Sequence, residues 1–157
     1  MRAVLPAGAR ERVRAYRSGY FDKPGFVPDP GEAVTVQDVA AADDLESSLT
    51  AMRRQMIQTG SADVAVIVGG RTAEGGTHTP GVEEELALAR EAGIPVVAVA
   101  SPGGQAAVIV RRERHGQPPW ANFGNGLSPE INDLIADDDD YAEVARIIWD
   151  RFGSAAT

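Results

Sequence analysis

The sequence predicts a three-layer α/β domain built on a mainly parallel sheet. Three observations carry this. Two short, almost continuous apolar runs, "ADVAVIVGG" (62–70) and "IPVVAVA" (94–100), read as strands covered on both faces. Each is followed by a glycine-rich loop, and each loop leads into a segment with helical spacing of apolar residues. Strand, loop, helix, then strand, loop, helix is the grammar of parallel strands joined across the faces of a sheet.

The elements follow in order. "ERVRAYRSGYF" (11–21) fits two readings: Val13, Tyr16 and Tyr20 make a helical stripe, whereas Val13, Ala15 and Arg17 alternate as in a strand. "DKPGFVPDPGE" is a Pro/Gly loop, and "AVTVQDV" (33–39) an edge strand. "DDLESSLTAMRRQMIQTG" (43–60) places Leu45, Leu49, Met52, Met56 and Ile57 on one helical face, with acids at its start and Gly60 at its end. In "PGVEEELALAREAG" (80–93), Thr79 is the expected N-cap, Pro80 the first helical residue and Gly93 the stop. The strand at 94–100 ends in "SPGG", and Gln105 to Arg112 read as a short helix. "RHGQPPWANFGNG" (114–126) is irregular. "SPEINDLIA" opens a helix with Ser128 as cap and Pro129 at the first position. "DDDDYAEVARIIWDRFG" is the closing helix, expected to bury Tyr141, Val144, Ile147, Ile148 and Phe152. Its aspartates read as dipole-favoured caps, with calcium binding as the alternative.

At 157 residues the chain suits one domain, 1–157, best defined over 45–152, with 1–42 an irregular strand-and-loop region. A net charge of -8 argues against nucleic-acid or membrane partners, which call for basic surface. Of the 15 cations 14 are Arg, the better residue for forked recognition of phosphate or carboxylate. The absence of cysteine excludes disulfides, thiolate catalysis and Cys-based zinc sites. His78 and His115 fit no metal-ligand spacing, and neither a metal nor a cofactor is expected. The N-terminus lacks the apolar stretch of a signal peptide and no run reaches membrane length, so a cytoplasmic protein is expected.

In parallel sheets ligands sit beyond the carboxyl ends of the strands, so both glycine loops are expected to converge on one crevice. In the first loop, "GGRTAEGGTHTPG" (69–81), Gly69 and Gly70 let the chain leave the strand at positive φ, and Gly75 and Gly76 act likewise further on. Arg71 is its one cation, Thr72, Thr77 and Thr79 supply hydroxyls, and Gly81 opens helix amides to an anion. The second loop repeats the theme with Ser101, Gly103 and Gly104. A surface loop with solubilising threonines is the bland alternative. Neither GxGxxG nor a Walker sequence is present, so dinucleotide redox and P-loop hydrolysis lack their signatures. Among the three glutamates, Glu83 reads as a surface charge favoured by the helix dipole. Glu84 and Glu85 share a side with Gly81, where a carboxylate could bond ribose hydroxyls, attack an anomeric carbon or stabilise an oxocarbenium ion.

The ordered motifs "AMRRQM" (51–56), "DVAVIVGGRT" (63–72), "PGVEEELALA" (80–89), "GIPVVAVASPGGQAA" (93–107) and "NGLSPEIN" (125–132) resemble the SLOG superfamily. This Rossmann-like group includes cytokinin-activating phosphoribohydrolases, DprA proteins, TRPM-channel sensor domains and the sensor domains of Thoeris and related antiphage effectors. The nearest similarity is to the bacterial sensor branch. The resemblance implies an ADP-ribose-like nucleotide ligand at the helix starts, a homo-oligomer and an effector protein as partner, in antiphage or stress signalling. Its matched positions are Arg53, Gly69, Gly70, Arg71, Gly81, Glu84, Glu85, Gly103 and Gly104. The sequence departs from the pattern twice: no glycine-rich phosphate unit precedes residue 60, and Ser101-Pro102 stand where that branch has glycine and an aromatic. "AREAGIPVV" is more distantly similar to nucleoside 2-deoxyribosyltransferases and TIR-type NAD hydrolases. That second likeness implies an N-glycosidic enzyme with Glu84 as nucleophile and Glu85 as the next candidate. The leading expectation is a binding module, and the enzyme is the alternative.

Overall fold

The computed structural model describes residues 14–21, 35–58, 62–73 and 79–153. They form two compact units, divided between Thr59 and Gly60. In the first, β1 (Arg14–Ser18) leads through a single 3-10 turn, Gly19–Phe21, and later to β2 (Thr35–Val39) and α1 (Leu45–Gln58). Alternation thus prevails over the helical stripe at residues 14–18. The two strands pair in parallel, with Arg17 opposite Asp38, and the Arg17 Nε donates to Asp38 Oδ1 across the pair at 2.6 Å. Helix α1 packs on both strands. Asp44 caps it by accepting from the Ser47 amide at 2.8 Å and its hydroxyl at 3.2 Å. Those bonds, the amide's first, hold the Asp44 carboxyl below its ordinary pKa. The expected apolar face is only partly buried: Ile57 is, but Leu45 is 40% exposed. Ser48 is fully buried instead, its hydroxyl donating to the Asp44 carbonyl at 2.6 Å and accepting from the Ala42 amide at 2.8 Å.

In the second unit β3 (Ala65–Val68) and β4 (Val96–Val99) pair in parallel, residue 66 opposite 97 and 68 opposite 99. Helix α2 (Gly81–Glu91) connects them, and α3 (Gly104–Arg114), α4 (Pro129–Asp137) and α5 (Tyr141–Phe152) follow. Side chains alternate across a strand. Ile67, Val96 and Ala98 therefore enter one core with Leu86 and Ala89 of α2 and Ile109 and Val110 of α3. Val97 and Val99 enter a second core with Ile135 of α4 and Val144 of α5. The result is a helix–sheet–helix sandwich with parallel strands, the expected α/β Rossmann-like layering. Each fully buried aliphatic here contributes about 1.5–3 kcal/mol.

Several local expectations change. Pro80, with ψ 136°, is the N-cap of α2 and Gly81 its first residue, because the Glu83 and Glu84 amides both return to the Pro80 carbonyl. β4 is buried on both faces, but β3 is not: Val66 and Val68 are 47% and 51% exposed, since α4 and α5 lie over β4. Tyr141, expected in the core, is 54% exposed for the same reason. Of the aspartate run, Asp140 is the cap of α5, accepting from the Ala142 and Glu143 amides. The irregular segment after α3 fills core volume: Trp120 and Phe123 are buried with ring centroids 5.3 Å apart, and the Arg114 guanidinium lies 5.7 Å from the Trp120 ring. Asn125 then donates to the Val96 carbonyl at 2.6 Å and to Asn132 Oδ1 at 2.9 Å. "NGLSPEIN" thus ties the start of β4 to α4, at the end of the strand away from the glycine loops. Among the described residues no helix is long and apolar enough to cross a membrane.

Candidate functional site

The two glycine loops leave the carboxyl ends of adjacent strands, and they touch. The Gly69 carbonyl accepts from the Ala106 amide at 2.7 Å, and the Gly70 carbonyl from the Gln105 amide at 3.0 Å. The geometry needs glycine for two separate reasons. Gly69, Gly70, Gly103 and Gly104 have φ of +61°, +89°, +82° and +70°, the left-handed region that costs other residues strain. Gly70 and Gly104 also lack room: a Cβ at Gly70 would strike Val82 Cγ2, and one at Gly104 would strike the Gly70 carbonyl oxygen. Beside Gly69 and Gly103 the space is open.

Contact has a chemical consequence. Helix N-termini attract anions because their first amides lack partners. At α3, whose start has no side-chain cap, the Gln105 and Ala106 amides are occupied by loop carbonyls. The head of α2, by contrast, carries Gly81 half-buried beside half-buried Glu84 and Glu85. Arg71, Thr72 and Thr79 are exposed on the loop between, while Glu74, Gly75, Gly76, Thr77 and His78 lie outside the described residues. Ser101 is exposed, with its amide bonded to the Ala136 carbonyl at 3.1 Å, so α4 anchors the second loop. Arg53 is half-buried on α1, in the first compact unit.

Glu83 departs from its expected role as a surface charge. Its carboxylate accepts from Gln105 Nε2 at 2.8 Å and from Arg112 NH1 at 3.0 and 3.2 Å, and its side chain is 21% exposed. Arg112 also donates from Nε to the buried Glu113 at 3.1 Å. Burial presses the Arg112 pKa down, but the hydrogen bonds to Glu83 and then Glu113 outweigh it and leave the pKa raised. Gln105 is the node of this group: buried, it holds Gly70 through its amide and Glu83 through its side chain. Gln105 and Arg112 are two helical turns apart on one face, a polar pair that is the sequence signal for this cross-link.

The arrangement offers a forked cation at Arg71, hydroxyls at Thr72, Thr79 and Ser101, and carboxylates at Glu84 and Glu85. Such groups suit a ligand with both an anionic group and sugar hydroxyls. Among the described residues no group of three or more His, Asp or Glu side chains could hold a metal ion. An apolar cavity of about 630 Å³ opens between β3 and α5, bordered by Pro102 of the second loop.

A family model, SLOG cluster2, matches residues 13–146. The chain belongs to the SLOG family. Its Rossmann-like parallel layering agrees with that membership, which relates this domain to nucleotide derivatives. Comparison with curated proteins and with solved structures gives no match for this SLOG domain.

Proposed function

We propose that this SLOG domain binds a nucleotide derivative of the ADP-ribose type at the head of α2, and acts as a sensor module in antiphage or stress signalling. The observation that carries the reading is the contact of two positive-φ glycine loops at the carboxyl ends of adjacent parallel strands. Arg71 pairs with a phosphate of the ligand, and Glu84 and Glu85 accept from its ribose hydroxyls. Because the Gln105 and Ala106 amides of α3 are already taken by Gly70 and Gly69, the anion falls to Arg71 and the start of α2.

Thermal shift tests this against ADP-ribose, cyclic ADP-ribose isomers, NAD and nucleoside monophosphates. Ligand at 100 times its Kd contributes about 2.7 kcal/mol. For a chain of this length that is roughly 2–4 °C per kcal/mol. Arg71→Ala should abolish the shift while leaving the melting temperature of the free protein unchanged. No shift with any of these ligands, in folded protein, refutes the reading.

The half-burial of Glu84 in the first turn of α2, with half-buried Glu85 next to it, favours a second reading, N-glycosidic cleavage with Glu84 as nucleophile. Incubation with NAD, AMP or deoxynucleosides separates the two. Release of free base that Glu84→Gln abolishes establishes the enzyme, and binding without release establishes the sensor.

A further inference from the structure

Three segments meet at Gly70. Its carbonyl accepts from the Gln105 amide at 3.0 Å, and a Cβ on it would strike Val82 Cγ2 of α2 and lie 3.6 Å from Gln105 Cβ of α3. The chain leaving β3 is thus wedged between the first turns of two helices. Gln105, only 5% exposed, also reaches α2: its Nε2 donates to Glu83 Oε1 at 2.8 Å, next to Glu84 in the same turn.

One residue therefore fixes two things. A peptide unit is rigid and planar, so the Gly70 carbonyl and the Arg71 amide turn together. Bonding that carbonyl sets the plane from which Arg71 departs. Bonding the Glu83 carboxylate sets the first turn of α2, and with it Glu84. The residue type fits both tasks. A carboxylate only accepts, so it needs donors around it, and a neutral donor is buried without desolvating a second ion. Glutamine is such a donor. Arg112 supplies the charged partner from the exposed side, with NH1 3.0 and 3.2 Å from the two Glu83 oxygens.

We propose that Gln105 is a positioning residue, which presets Arg71 against the head of α2; that the preset pair serves a nucleotide rests on the reading above. A site competent for only a fraction of the time has its Kd raised by the inverse of that fraction. Losing a hydrogen bond to a charged group shifts such a balance on the order of tenfold or more.

Exchanging donor and acceptor tests this. In Gln105→Glu two carboxylates face each other, and adding Glu83→Gln returns one donor and one acceptor to the same place. Two readouts are taken on the full 157-residue chain well below its melting temperature, with circular dichroism showing each variant folded. The first is calorimetric titration with ADP-ribose. Gln105→Glu should raise Kd on the order of tenfold or more, and the double variant should recover most of the loss. The second readout needs no ligand. Trypsin cleaves after arginine, and Gln105→Glu should quicken cleavage after Arg71 relative to cleavage after Arg146 of α5, with recovery in the double variant. Global loosening would quicken both sites alike. Should Gln105→Glu fail to fold, Gln105→Leu keeps the buried volume, loses only the donor and should move both readouts the same way.

A wild type that does not bind ADP-ribose, while cleavage after Arg71 follows the exchange, counts against the ligand reading and leaves Gln105 as the residue that sets the loop. Cleavage after Arg71 indifferent to both substitutions overturns the proposal. So does an ADP-ribose affinity that they leave unchanged, or a loss that the exchange fails to restore.

Discussion

A carboxylate in a helix's first turn can serve the dipole from solvent, or it can reach across to another element. Glu83 reaches across, while its neighbours Glu84 and Glu85 lie half-buried on α2. The partners of Glu83 should differ in weight. Gln105 is buried and donates to a charged group, so Gln105→Ala is expected to cost about 1.5–3 kcal/mol. The Arg112 side chain is 51% exposed and screened by water, so Arg112→Ala should cost less than about 1 kcal/mol. Urea denaturation of the two variants checks that order. The glycines divide in the same way. Gly103→Ala meets no neighbour but must hold φ +82° and ψ -150°, a backbone nearly confined to glycine, at about 1–3 kcal/mol. Gly104→Ala also drives a Cβ into the fixed Gly70 carbonyl, so it should lose clearly more in the same measurement. A run of glycines announced itself in the sequence, but which glycine is needed for φ and which for space depends on the chain that approaches it. The partners of Glu83 were hidden for the same reason, lying 22 and 29 residues away.

At the scale of elements, what was legible is what local chemistry decides. Gly93 stops α2 with φ +68°, Pro129 opens α4, and the apolar runs form β3 and β4. What was not legible depends on neighbours. "AVIV" and "VVAV" look alike, yet one has a bare face and the other none, because α4 and α5 cover only β4. Trp120 adopts φ 60°, which nothing in its own residue type foretells. Two predictions belong here. Asp140→Ala removes the acceptor for two α5 amides and should cost about 1 kcal/mol by thermal or chemical denaturation. Asp44 carries a pH dependence. Its folded pKa lies below the ordinary 3.8, so its contribution is fully present above that value and is lost as pH falls through the folded value. The melting temperature of the wild type should therefore fall more steeply below about pH 4 than that of Asp44→Asn.

Over the whole molecule, the family match at 13–146 runs through both compact units, although among the described residues the cores at β3 and β4 draw only on those beyond Gly60. Residues 60–157 alone should consequently fold, giving a cooperative thermal transition and a helical circular dichroism spectrum. A non-cooperative melt would show that this unit needs the first 59 residues. The layering and the loop positions followed from sequence because right-handed crossovers leave few topologies. Of the candidate site, only the loop positions were legible: both glycine loops follow the carboxyl ends of β3 and β4, whereas the bonding of the Gln105 and Ala106 amides was not foreseeable from glycine content.

That bonding makes the molecule its own gauge. The amide protons of Gln105 and Ala106 are held by carbonyls of the loop that also bears Arg71. Their exchange with deuterium therefore measures how often that loop lifts from α3. A ligand that settles on the loop should slow exchange at these two positions together, and one that pries the loop away should quicken it. Occupancy would thus be read from two hydrogens without a label on the ligand.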